Sequence, residues 1–156
     1  MDVRGLLPFL LLMPMLAPAS SLREPHPELS PEDVVRIQLD ALRDNDRPSP
    51  DSGVALVFRF ASPGNRAQTG PLPRFAEMIH SGYAEMLNHR EARLHQGLVQ
   101  GDEAIQPVEL LARDGSAHRY LFILSRQAEP PCAGCWMTDS VLADPERLPD
   151  PAQDTI

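Results

Sequence analysis

The segment VELLARDGSAHRYLFIL, Val108 to Leu124, decides how this chain reads. Val108, Leu110 and Ala112 alternate onto one face, the period of two that a half-buried strand imposes. Asp114-Gly115 follows, a dipeptide that tolerates the positive φ angles of a tight hairpin turn. Past the turn, Tyr120-Leu121-Phe122-Ile123-Leu124 is apolar on both faces. His118 to Arg126 is therefore expected to be a central strand covered on both sides. Working outward, Ala104 to Arg113 is the first arm of this hairpin. Pro107 within it has no N–H to give to a ladder, which predicts an edge position or a bulge. Gly101-Asp102 is a turn back to an earlier strand, Arg93 to Gln100, with Leu94 and Leu98 on one face. Cys135 to Leu142 is the last strand of a four-stranded antiparallel meander.

Upstream of the meander the apolar period becomes helical. Ser30-Pro31-Glu32-Asp33 combines a cap, a proline at the first helical position and acids in the first turn. Val35, Leu39 and Leu42 then recur at i, i+4 and i+7 of a helix ending near Asn45. After the break at Arg47-Pro48-Ser49-Pro50, Asp51 is expected to cap a second helix carrying Val54, Val57, Phe58 and Ala61. Ser62-Pro63-Gly64 is read as its stop, and Asn65 to Gly70 as a loop. Pro71 restarts a third helix with Leu72, Phe75, Ala76 and Ile79 inward. Ser81-Gly82 interrupts it before a short turn at Tyr83, Met86 and Leu87. Helices first and a meander afterwards is an α+β order. Three helices on one face of a curled four-stranded antiparallel sheet is the arrangement of cystatin-like and nuclear-transport-factor-like rolls, an analogy of element order that carries no function.

The chain has 156 residues, suited to one domain. Its formal net charge is −8 and all 14 of its Lys+Arg positions are Arg. An acidic surface repels phosphate backbones, so nucleic acid is not an expected partner, and it gives no attraction to anionic lipid. Leu6 to Leu16 is uncharged and apolar and is followed by Ala17-Pro18-Ala19, the pattern of a secretory signal cleaved before Ser20. The run would extend about 16 Å as a helix against a hydrocarbon core of about 30 Å, which argues against a stable membrane span. The expected organisation is a signal peptide at 1–19, a Pro-rich linker at 20–29, one α+β domain at 30–143 and an acidic, Pro-rich disordered tail at 144–156. The expected location is outside the cytoplasm, periplasmic or secreted.

Several stretches together carry a resemblance. They are Val34-Val35-Arg36-Ile37-Gln38 with Ala41-Leu42 and Asn45-Asp46, then Phe58-Arg59-Phe60-Ala61-Ser62-Pro63. Next come Ala67-Gln68-Thr69-Gly70-Pro71-Leu72 with Arg74-Phe75, then Tyr83-Ala84, and Cys135-Trp136-Met137-Thr138-Asp139. In this order, from about Pro31 to Leu142, they resemble the uncharacterised domain-of-unknown-function family 4864. The resemblance implies no activity, since none is established for that family.

The chemistry-bearing residues are few. Cys132-Ala133-Gly134-Cys135 is a C-x-x-C motif. It precedes an expected strand, whereas a thiol oxidoreductase places it at the start of a helix that stabilises a thiolate. It supplies two zinc ligands and lacks a second pair. Export favours a disulfide, with free thiols, redox chemistry or metal as the alternatives. Trp136, near the start of the last strand, is either a core residue or part of a cavity mouth. Asn65 to Gly70 leads into an expected helix N-terminus, a place that binds anions. Arg66, Gln68, Thr69 and Arg74 are accordingly candidate ligand contacts, with Tyr83 and Trp136, while Thr69 or Gly70 acting as a plain helix cap is the alternative. His80, Asp139 and Tyr83 could form an acid–base group, although His80 at a helix end is also explained by the dipole alone. No cofactor, metal or catalytic residue is assigned. The expected function is non-catalytic binding of a small molecule or a protein. A roll-fold enzyme and a thiol-disulfide protein are the alternatives.

Overall fold

The computed structural model describes residues 24–143. The readings of 1–19 as a signal peptide, of 144–156 as a tail and of the first part of the 20–29 linker lie outside the described residues. Within them the order is helices, then sheet: α1 Pro31–Arg43, α2 Ser52–Phe60, α3 Pro63–Thr69, α4 Leu72–Gly82, a 3₁₀ turn Ala84–Met86, then β1 Glu91–Leu94, β2 Leu98–Gln100, β3 Glu103–Leu111, β4 Ala117–Arg126 and β5 Trp136–Ala143. The α+β class holds, with four α-helices rather than three and an open antiparallel sheet.

The first helix begins as its residues require. Ser30 Oγ accepts from the Asp33 N–H at 3.1 Å, and the Asp33 carboxylate reaches back to the Ser30 N–H at 3.0 Å. This reciprocal capping satisfies two donors that a helix start leaves open. The Ser30 hydroxyl and N–H hold the Asp33 carboxyl below the ordinary carboxylate range. The buried stripe is Val34, Val35, Gln38, Leu39 and Leu42.

Two helix starts differ from expectation. Asp51 does not cap α2: it sits at φ 58° with no side-chain capping bond. Asn45, at the end of α1, does the capping from a distance, its Oδ1 accepting from the Val54 N–H at 3.0 Å. Ser62-Pro63, expected to stop a helix, starts one. Ser62 Oγ accepts from the Asn65 N–H at 3.2 Å and Pro63 takes the first turn, where its missing N–H costs nothing. Asn65 to Thr69 is consequently helical rather than a loop.

In the sheet, β3 pairs with β4 and β4 with β5, all antiparallel. The expected first strand is divided. β1 pairs with β3 up to Leu94↔Val108, and β2 resumes at Leu98↔Ile105. Between them three residues, 95–97, stand against the two of Gln106-Pro107, and Gln106 Nε2 donates to the His95 carbonyl at 2.6 Å. Pro107 removes a ladder donor there, so its bulge reading accounts for the break. A second irregularity lies in β5: Leu124 faces Thr138 and Ile123 faces Ser140, leaving Asp139 as the extra residue.

The helices cover one face of the sheet. Val108, Leu110, Tyr120, Phe122, Leu124 and Trp136 are buried against Val34, Val35, Leu39, Val54 and Phe60. Trp136 is thus a core residue, with the Arg126 guanidinium 5.0 Å from its ring centroid. The expectation that β4 is covered on both sides is corrected. Leu121 and Ile123 are half-buried, and Leu98, Ile105 and Leu142 are exposed. No helix is packed against that second face among the described residues.

Candidate functional site

Where α1, α2 and α4 lie over β4 and β5, the side chains do not fill the space. A cavity of about 220 Å³ remains. Leu42, Val57, Phe75, Ile79, Met86 and Phe122 form an apolar wall. These residues point inward because each sits on the apolar stripe of its helix or on the covered face of β4. Half-buried or exposed residues, among them Asn65, Gln68, Thr69, Tyr83 and Ser140, surround the opening.

Two polar side chains lie deep in this wall. Gln38 and Thr138 are 1% and 3% exposed. Gln38 Nε2 donates to the Val34 carbonyl at 3.1 Å and to Thr138 Oγ1 at 2.9 Å. Thr138 Oγ1 lies 3.3 Å from Gln38 Oε1. Buried amides and hydroxyls persist only when paired, and this pair meets that need across 100 residues of chain. The Thr138 carbonyl is held as well, accepting from the Ser62 N–H and from Asn65 Nδ2. α3 is thereby fastened to β5 beside its bulge.

The sequence-derived candidates separate into two groups. Gln68, Thr69 and Tyr83 line the cavity. Tyr83 donates its hydroxyl to the Val141 carbonyl at 2.8 Å, and Thr69 to Asn65 O at 3.0 Å. Arg66, Arg74 and Trp136 are not among the lining residues. Arg66 is turned back onto α2: Nε donates to Ala61 O at 3.1 Å, a terminal nitrogen to Arg59 O at 2.7 Å, and the guanidinium lies 5.0 Å from the Phe58 ring centroid. It satisfies carbonyls at the end of α2, which accounts for it without an anion. Arg74 is exposed beside Gly70.

His80, Asp139 and Tyr83 are not brought together. His80 Nε2 lies 2.9 Å and 3.0 Å from the two Asp51 carboxylate oxygens. Asp139, although its residue borders the cavity, accepts from Ser125 Oγ at 2.9 Å, and Ser125 alternates with buried Leu124 onto the opposite sheet face. Cys132 and Cys135 stand at disulfide distance, with Cα atoms 5.5 Å apart. Cys135 is fully buried, in the loop that leads into β5. Among the described residues no group of three or more His, Cys, Asp or Glu could hold a metal ion. None of the described helices is long and apolar enough to cross a membrane.

Sequence reasoning missed Gln38 and Thr138 as site residues, yet Gln38 carried a signal. It stands four residues after Val34 and four before Leu42, on the stripe that the helix buries. A polar residue on an apolar stripe needs a buried partner. Thr138 could not be found this way, because strand residues of its kind are as common on either face.

A family model described as Domain of unknown function (DUF4864) matches residues 27–148. No curated protein and no solved structure matches the chain.

Proposed function

The chain belongs to the domain-of-unknown-function family DUF4864, and from that premise we propose that it is a binding protein that holds a small molecule in the helix–sheet cavity without turning it over. The carrying observation is the cavity itself, about 220 Å³ with an apolar wall and one buried polar pair. Binding sites for small molecules are concave, mostly apolar and furnished with a few placed polar groups. An engineered apolar cavity of about 150 Å³ in another protein holds benzene, so the ligand class is small, of the size of one substituted ring. Turnover has less support, since His80 and the Asp139 carboxylate are both engaged away from the cavity. The reading includes action outside the cytoplasm, supported by the apolar run and Ala17-Pro18-Ala19 at the N-terminus and by the cysteine pair at disulfide distance. It also includes a sheet curled as in cystatin-like or nuclear-transport-factor-like rolls, supported by helices on one face and a bulge in β5.

The test is a thermal-shift screen with small uncharged aromatic compounds. Binding to the native state alone adds about 2.7 kcal/mol at a ligand concentration of about a hundred times Kd. Val57→Phe, which places a ring in the cavity, should remove the shift. A shift that survives in Val57→Phe, or chemical conversion of a stabilising compound, would overturn the reading.

A further inference from the structure

We infer that the cavity selects an uncharged ligand bearing one hydrogen-bonding oxygen, a small alcohol, phenol or ketone, read through Thr138 Oγ1 and Gln38 Oε1. This rests on the binding reading above and adds the ligand's chemistry to it. The Val34 carbonyl can only accept, which fixes the Gln38 amide nitrogen toward it. Both amide hydrogens are then used, one on Val34 O and one on Thr138 Oγ1. The Thr138 hydroxyl has one proton left, and its partner within the pair is Gln38 Oε1 at the long distance of 3.3 Å. That bond is weak, so proton and carbonyl oxygen can both turn to a third group. The pair therefore offers one donor and one acceptor, in a wall that is otherwise apolar, and an oxygen-bearing ligand matches it. A hydroxyl can use both groups and a ketone the donor alone.

Charge is selected against by the same wall. No Arg or His is among the lining residues, and the nearest cation in sequence to the opening, Arg66, is committed to Ala61 O and Arg59 O. A carboxylate entering would lose its water with no cation among the lining residues to replace it. An ammonium finds one carboxylate among the lining residues, Asp139, and its Oδ1 accepts from Ser125 Oγ on the other sheet face, which leaves it a poor partner for a cation inside. A purely apolar ligand is tolerated, since Gln38 and Thr138 satisfy each other when nothing else does.

The experiment uses four probes built on one phenyl ring: toluene, benzyl alcohol, benzoate and benzylamine. Their affinities are measured by NMR titration at pH 7 for the wild-type chain, Thr138→Val and Thr138→Ser. Benzyl alcohol should weaken about fivefold relative to toluene in Thr138→Val, the worth of one net hydrogen bond. Thr138→Ser, which keeps the hydroxyl, should restore the ratio. Benzoate and benzylamine should not bind. Toluene affinity in each variant reports whether the cavity has kept its shape. Should Thr138→Val fail to fold, a crystal structure of the wild-type chain with benzyl alcohol decides, because the ligand oxygen must lie within hydrogen-bond distance of Thr138 Oγ1. An unchanged alcohol-to-toluene ratio, benzoate binding as tightly as benzyl alcohol, or a ligand oxygen turned away from Thr138 would overturn the inference while toluene binding leaves the cavity reading standing. Failure of all four probes would overturn the binding reading itself.

Discussion

The nine-residue helix α2 has two different ends. At its start, the corner with α1 is closed by polar side chains that satisfy one another. Asn45 Nδ2 donates to Asp46 Oδ1 at 3.0 Å and to Asp51 Oδ1 at 2.9 Å, while its Oδ1 caps Val54. Asp46 also accepts from Asn88 Nδ2 at 2.9 Å, and Asp51 is paired with His80. The amides of Asn88 and Asn45, ahead of the other partners, hold the Asp46 and Asp51 carboxyls below the ordinary range. Backbones touch here as well: a Cβ on Gly53 would stand 2.2 Å from the Ala41 carbonyl oxygen. Farther along, the same helix carries Val57, with Ala61 just past its end, beside a space of about 220 Å³. At the Gly53–Ala41 contact there is no room for a further atom, although an open groove lined by Asp44, Arg47 and Ser52 runs beside it. The cavity has room between helices and sheet. The difference teaches that this chain closes its helix pair at one end and leaves space at the other, the space on which the binding proposal rests.

The largest way to break this contrast is to add one methyl group at the corner. Gly53→Ala drives carbon into the Ala41 carbonyl and the Asn45 main chain, and should destabilise the domain by about 3 kcal/mol or more, the upper part of the overpacking range. Denaturant unfolding measures it, and a loss below about 1 kcal/mol would mean that the α1–α2 contact is not close. Asn45→Ala comes next. Asn45 is 1% exposed, and its removal leaves the Val54 N–H without its cap and takes one donor each from Asp46 and Asp51. The expected loss is about 2–3 kcal/mol. It should exceed the loss for Thr138→Val at the cavity, which breaks a single pair; equal losses would erase the distinction between the regions.

Acidification should weaken the corner side as well. His89, 4% exposed and donating from Nδ1 to Met86 O at 2.8 Å, is buried beside it, and burial pushes its pKa below the ordinary 6.5. The unfolded chain then takes up a proton before the folded one does. The stabilisation is fully present above about pH 6.5 and is lost as pH falls through 6.5 toward the folded value. The lowered Asp46 and Asp51 act later, their contributions being lost as pH falls below the ordinary 3.8. The thermal midpoint should accordingly drop between pH 7.5 and pH 5, and His89→Gln should remove most of that drop. A midpoint with the same pH dependence in His89→Gln would place the titrating group elsewhere. The smallest effect belongs to the cavity. Val57→Phe adds far more volume than Gly53→Ala, yet should change stability by less than about 1 kcal/mol, because the ring enters empty space rather than a packed wall. A loss comparable to that of Gly53→Ala would show that the space does not accept a side chain.

Local signals were legible where the chain answers to its near neighbours. The Ser30 cap, the stripe Val35, Leu39 and Leu42, the restart at Pro71 and the Asp114-Gly115 turn all act within about four residues, and each predicted an element that is present. The same locality misled at Ser62-Pro63. A cap followed by proline starts a helix as readily as it marks the end of the one before, and what decides is Ser62 N bonding to Thr138 O at 2.9 Å, far along the chain. Adjacency to α2 points to Asp51 as the cap, whereas Asn45 folds back to take that place.

By itself the sequence determined the α+β order, the amphipathic helices, the antiparallel hairpin and the scarcity of chemistry-bearing motifs, because hydrophobic period, capping and turn preference are properties of short segments. Only the tertiary structure decided that Gln38 meets Thr138, that Arg66 and His80 face away from the space between helices and sheet, and that this space exists. Those outcomes depend on which distant segments share a buried volume, and the volume that remains is set by how their side chains fit together rather than by any one of them.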